Sequence, residues 1–349
     1  MRKIFYLLLV QCLFLACEEE AGLVDDGAEA SRLVINALCT TADSIHQIGI
    51  SRTEITSAKQ VPSAKVTLSV NGQEVADGVS DNFGQCRLNA KLAAGDEVSI
   101  RVNDGEDEAS ATTIIPQPLT VVGCDTLHIR KRTSFDSDRT EPYIRFLIRV
   151  RLADGARGTQ FFRLVLNREA CSYQAGTGWD VDRDTIVERI YTYEVFDHIY
   201  SSPGKYEYDF DPALSENSMK NESEEGVEWF DGVPNDYGLF RSSYFDNGEY
   251  TLCIDVEDVL GYYPYGCGHK DICTFRIHSI TKAEYDYLWA AAALVNTYEA
   301  GVLLSNPPIV PTNVTGGTGF FGVSSEAVLR HEDVEKILRD DIIQIWPDE

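Results

Sequence analysis

Val66-Thr67-Leu68-Ser69-Val70-Asn71-Gly72-Gln73-Glu74-Val75 is the stretch whose reading decides the fold. Two β-forming runs flank an Asn-Gly pair, and the two central residues of a tight hairpin turn must both take positive φ, which Asn and Gly tolerate best. Within the first run Val66, Leu68 and Val70 alternate with Thr67 and Ser69, the period of a strand with one buried face. Outward from the hairpin the pattern repeats in Leu33 to Leu38, Ile45 to Arg52, Gln85 to Leu88, Glu97 to Val102 and Ala109 to Ile115. Roughly seven short strands in about 85 residues, with no helix-period stretch among them, predict an immunoglobulin-like β-sandwich over 31–116. Pro116-Gln117-Pro118 ends it, because proline cannot continue a ladder.

Residues 117–349 read as a second, larger β-sandwich domain with one helix towards its C-terminal side. Ile144, Phe146, Ile148, Val150 and Leu152 alternate with Arg145, Arg149 and Arg151 in a half-buried strand, whose arginine row reads as a solvated face. Phe161 to Leu166, Ile190 to Val195, Tyr250 to Asp255 after the Asn247-Gly248 turn, and Cys273 to Ile277 continue the strands. The period then changes. Thr281 as N-cap with Glu284 three residues on predicts a capping box, Ile280 can staple onto Tyr285, and Tyr285, Leu288, Trp289, Ala292 and Val295 form an apolar helical face over 281–300, stopped by Gly301. The glycine-rich run 316–322 reads as a turn into a strand at Phe320 to Val323, and Asp333 to Ile345 as a short terminal helix.

The start of the chain addresses it. Arg2 and Lys3 precede an apolar run from Ile4 to Leu15, and Phe14-Leu15-Ala16-Cys17 places a small residue just before a cysteine, the architecture of a lipoprotein signal peptide over 1–16. Cys17 then becomes the lipidated N-terminus, with acyl burial holding the protein on a membrane. Glu18, Glu19 and Glu20 open an acidic tether over 17–30, which like charges keep extended.

The net charge of −26 argues against nucleic acid as a partner, since phosphate recognition needs clustered Lys and Arg. Of nine cysteines, Cys12 leaves with the leader and Cys17 takes lipid, so an odd number remain. Most are expected as small hydrophobes in the core, with a Cys267 to Cys273 bridge or thiols at that pair.

The leader, the strand Leu33-Val34-Ile35-Asn36-Ala37, the Tyr244-Phe245-Asp246 to Leu252 segment, the strand-to-helix run from Ile277 to Leu288 and above all Gly316-Gly317-Thr318-Gly319-Phe320-Phe321-Gly322 together resemble the Bacteroidetes outer-membrane lipoproteins grouped as domain of unknown function 4249. The resemblance spans nearly the whole mature chain and carries no catalytic residues. It implies that Glu18, Glu19 and Glu20 form a surface-export signal, and that the partner is a TonB-dependent outer-membrane receptor. Cys267 and its surroundings fall outside the pattern.

Motifs of chemistry are weak throughout. Asp180, Asp182 and Asp184 alternate as in a calcium loop, but Thr185 and Tyr191 stand where Gly and Glu are needed. Cys267, His269 and Cys273 provide three soft ligands and no evident fourth. His331-Glu332-Asp333-Val334-Glu335 lacks the second histidine of a zinc-protease helix. Neither metal nor cofactor is expected, and the chain reads as a non-enzyme. Trp229, Phe230, Tyr262, Tyr263 and Tyr265 lie in loops and are candidate contacts to a ligand or partner, because aromatic anchors dominate interfaces. The leading expectation is a lipid-anchored accessory or binding lipoprotein working with a transporter in nutrient uptake. The alternatives are a surface adhesin or structural lipoprotein and, last, a secreted hydrolase.

Overall fold

The computed structural model describes residues 31–54, 58–132, 140–180, 185–196, 211–214, 235, 237–257, 267–299 and 309–335. The chain is mainly β, with one helix of more than a turn among these residues.

The first sandwich faces two sheets across one core. One sheet contains β1 (Leu33–Thr40), β2 (Ile45–Thr53), β3 (Ala58–Gln60) and β6 (Gln85–Asn89); the other contains β4 (Lys65–Val70), β5 (Gln73–Val79), β7 (Glu97–Asn103) and β8 (Glu108–Ile114). The hairpin of β4 and β5 turns at Asn71 and Gly72, with φ of 51° and 77°. Alternation works as read from the sequence: Leu33, Ile35, Ala37 and Cys39 of β1 point inward against Val66, Leu68, Val98, Ile100 and Val102.

The second sandwich packs β9 (Thr120–Arg132), β10 (Thr140–Arg151) and β14 (Glu249–Glu257) against a sheet of β11 (Phe161–Asp180), β12 (Thr185–Phe196), β13 (Leu239–Arg241) and β15 (Cys267–Ile280). The arginines of β10 are not bare. Arg145 grips the buried Asp255 through two bonds of 2.7 and 2.8 Å, while Arg149 pairs with Asp125 and Arg151 with Glu249. Each is neutralised by a carboxylate on a neighbouring strand, which leaves no anion-binding row.

One strand joins the two sandwiches. β16 (Val314–Thr315) adds to β8, and β17 (Gly317–Glu335) pairs in parallel with β1 from Gly317 to Ser324 and then antiparallel with β15 from Ser325 to Glu335. At the changeover Ser325 Oγ donates a 2.7 Å bond to the Pro116 carbonyl, tying down the proline joint. The first sandwich, read from the sequence as 31–116, takes part of its core from the far end of the chain, where Val314, Phe321 and Val323 join it. The terminal helix is corrected, as Asp333 to Glu335 end β17; the rest of that segment lies outside the described residues.

The helix α1 (Lys282–Glu299) lies on the outer face of this shared sheet, with Ile280, Tyr285 and Leu288 packed together as the staple expects. Ala292 is buried, whereas Val295 is half exposed. Only half of the capping box forms: Glu284 N–H donates 3.1 Å to Thr281 Oγ1, but the Glu284 side chain turns inward.

Candidate functional site

The glycine-rich run is a seam. An added Cβ on Gly316, Gly317 or Gly319 would run into the carbonyl oxygens of Glu108, Leu33 and Ile35 respectively, so β17 lies against β1 and β8 at a distance only glycine permits. Two asparagines hold it there. Asn36 Oδ1 accepts the Phe320 N–H at 3.2 Å, and Asn313 makes both a donor bond to Phe321 O (2.7 Å) and an acceptor bond from Phe321 N–H (3.0 Å).

On the outer face of the seam is an open groove of about 680 Å³. Its floor is a cross-strand row, Phe320 of β17 beside Asn36 of β1 beside Gly49 of β2 beside Gln85 of β6. The β1/β2 ladder ends at the Asn36–Gly49 pair, so the floor parts there. Gln47, Ser51 and Gln60 flank the row, and Tyr287 of α1 makes a wall, its half-buried ring stacked on the covered ring of Phe320 at 4.6 Å and 18°. Among the described residues no Asp, Glu, Lys or Arg lines the groove. Arg87 stands one strand-pair away, opposite Gln47.

Behind the groove, under α1, the sheet carries a buried polar row: Arg163 of β11 opposite His278 of β15 opposite Glu326 of β17. Ser324 Oγ donates to Cys39 O at 3.2 Å and lies 3.1 Å from His278 Nδ1. His278 Nε2 lies 3.9 Å from Glu326 Oε2. Burial, helped by Arg163 and Arg276, pushes the His278 pKa down to about 4, so the ring is neutral. Serine, histidine and glutamate thus meet as in a hydrolase, but Ser324 is buried and its proton is spent on backbone. Cys39 is no nucleophile either, since burial, Glu284 and Asp43 push its thiol up to about 12. This row braces the seam.

Glu284 completes it from above. Its carboxylate is buried, Oε2 has no hydrogen-bond partner, and it lies where a Cβ on Gly322 would stand, 2.5 Å from Oε2. Burial, opposed by Arg163, raises its pKa from 4.5 to about 7. A carboxyl whose folded pKa is raised binds a proton more tightly in the native state, so its contribution to stability is full below pH 4.5 and is lost as pH rises through 7. Glu284→Gln is therefore expected to match the native protein near pH 4.5 and to exceed its stability by roughly 3 kcal/mol at pH 8, read from urea midpoints. Equal midpoint differences at both pH values would contradict the assignment.

The residues singled out by sequence fare differently. Cys17, Glu18, Glu19, Glu20, Trp229, Phe230, Tyr262, Tyr263 and Tyr265 lie outside the described residues, as do 181–184 of the calcium-like stretch. The Cys267 to Cys273 bridge is corrected: both belong to the continuous strand β15, where six residues span about 20 Å, and a disulfide needs Cα atoms within about 7 Å. Among the described residues no group of three or more His, Cys, Asp and Glu could hold a metal. His331 instead packs edge-on to Phe146 at 5.2 Å. The groove residues Asn36, Gln47, Gln60, Gln85 and Tyr287 were not legible. They are single amides and one helical tyrosine scattered over four strands and α1, with no shared spacing to mark them.

Two β-sandwiches sharing one long strand, with a helix over the join, define the class of protein. The chain belongs to the family described as Domain of unknown function (DUF4249), whose model matches residues 20–330. No curated protein matches it. Among solved structures, a chain described as a presumed membrane-anchored protein of Corynebacterium diphtheriae is similar at 9% identity and a TM-score of 0.20, over 72% of this chain and 55% of that one. The match thus spans little more than half the length of that relative.

Proposed function

We propose that the protein is a lipid-anchored outer-membrane lipoprotein that serves as a binding subunit beside a TonB-dependent transporter in nutrient uptake, displayed on the cell surface. The observation that carries this reading is the leader ending at Cys17, followed at once by three glutamates. A lipidated cysteine places the folded body outside the cytoplasm on a short acidic tether. The groove supports a binding role, because it offers hydrogen-bonding amides and an aromatic wall, and among the described residues no acid pair lines it. Among the described residues no helix is long and apolar enough to cross a membrane, and the proposed attachment requires none.

Cys17→Ala is the test. The native protein is expected in the membrane fraction with an acylated cysteine as its mature terminus by mass spectrometry, and to co-purify a transporter barrel after mild detergent extraction. The variant is expected to leave that fraction and lose the barrel. A native terminus without acyl groups, or a barrel absent from the native preparation, would refute the anchor or the partnership respectively.

A further inference from the structure

We propose that the seam groove binds a neutral oligosaccharide chain; this rests on the reading of the protein as a binding subunit only for its biological purpose, and the binding itself can be tested alone. Three observations converge on this ligand class.

The first is chemical. Asn36, Gln47, Gln60 and Gln85 present carboxamides, and each carboxamide both donates and accepts, as does each sugar hydroxyl. Gln47 Nε2 donates 3.0 Å to Gln85 Oε1, which orients both groups and leaves the Gln85 nitrogen and the Gln47 oxygen without a further partner among the described residues. The second is electrostatic. In a chain with net charge −26, the lining carries no ionised side chain among the described residues, so a charged ligand entering the groove would lose water and meet no counter-charge there. That disfavours acidic sugars, phosphates and amines together.

The third is shape. Gly49 leaves the middle of the floor without a side chain, where its own Cβ would come within 3.3 Å of Asn36 O. The volume of about 680 Å³ falls in the range of small-ligand sites, and the groove is open, which suits a segment of a longer chain. Tyr287, braced by Phe320, offers a half-exposed ring on which the apolar face of a pyranose can lie. An extended peptide fits less well. Asn36 is paired on both sides, to Phe320 and Gly49, and Gly49 to Asn36 and Gln85, so the floor row itself takes no added strand; edges are open only past it, where β1 and β2 part, and the peptide arm of the titration tests them.

Calorimetric titration of the full, detergent-purified protein with maltohexaose, xylohexaose and mannohexaose, and with hexagalacturonate and a neutral Ser/Asn-rich heptapeptide for comparison, tests this. At least one neutral hexasaccharide is expected to bind, with Gln85→Ala and Tyr287→Ala each weakening it at least about tenfold. Tyr287→Phe keeps the ring and should stay within about twofold, which separates a lost wall from a misfolded chain, and Leu127→Ser on the exposed face of β9, in a sheet that does not border the groove, should change nothing. Thermal melts of every variant accompany the titrations. Binding of hexagalacturonate or the peptide instead, unchanged affinity in both alanine variants, or no heat with any neutral hexasaccharide would overturn the proposal. Saccharide binding by a protein that retains no transporter would remove the partnership and keep the groove; a co-purifying transporter with no saccharide binding would do the reverse.

Discussion

Gly319→Val is expected to destabilise the protein by more than about 4 kcal/mol, enough to unfold most of it at ambient temperature. Gly319 has φ of +98°, a conformation β-branched residues almost never adopt, and that alone costs roughly 1–3 kcal/mol. The larger effect is steric. The new Cβ would run into Ile35 O and approach Asn36 Oδ1 at 2.8 Å, so β17 must lift off β1 and the bond from Phe320 N–H to Asn36 is lost with it. Because the same strand continues into the second sandwich, both cores lose a shared element. Gly72→Ala is the matched comparison: φ is +77°, but nothing lies within 4 Å of the added methyl, and a loss of only about 1 kcal/mol is expected. The measurement is urea unfolding followed by tryptophan fluorescence. A Gly319→Val protein as stable as Gly72→Ala would mean that the parallel β1/β17 pairing does not close the fold.

Asp211→Ala is the second large effect, expected at about 4 kcal/mol. The side chain of Asp211 is wholly buried at the edge of the second sandwich. Oδ1 accepts from Ala213 N–H (2.8 Å), Leu214 N–H (3.3 Å) and Tyr250 O–H (2.9 Å), and Oδ2 from Cys253 N–H (2.7 Å), the outward-facing amide of edge strand β14. Burial raises its pKa and the four donors pull it down; burial prevails. Truncation leaves several buried donors unsatisfied, each worth roughly 1–3 kcal/mol, though their sum is not additive. Tyr250→Phe removes one donor and keeps the carboxylate, for a loss of about 1 kcal/mol. Asn235 makes a parallel pin, bonding Leu214 O and both the N–H and carbonyl of Leu239, so the 211–214 segment is held from two sides. If alanine at 211 costs no more than phenylalanine at 250, the carboxylate is not the anchor described here.

The elements legible in the sequence share one property: their signal is local. Asn71-Gly72 and Asn247-Gly248 both adopt the positive φ their turns demand. The helix begins one residue after the Thr281 cap because hydroxyl and amide are three residues apart in any context. Strand alternation in β1, β7 and β8 is likewise a two-residue period. The glycine motif was legible as a turn into a strand. That it forms a 19-residue strand shared by two sandwiches was not, since a glycine records that something approaches closely and not what it is.

Local sequence by itself thus determined the β class, the hairpins and the helix. Tertiary structure alone decided which strands meet: that Phe320 lies beside Asn36, 284 residues earlier, that Glu284 forsakes its own cap for the underside of a sheet, and that amides from separate strands share one uncharged groove. The reason is physical. Turn and helix energies depend on neighbours a few bonds away, whereas pairing and burial depend on surfaces that come into existence only when distant segments collapse together.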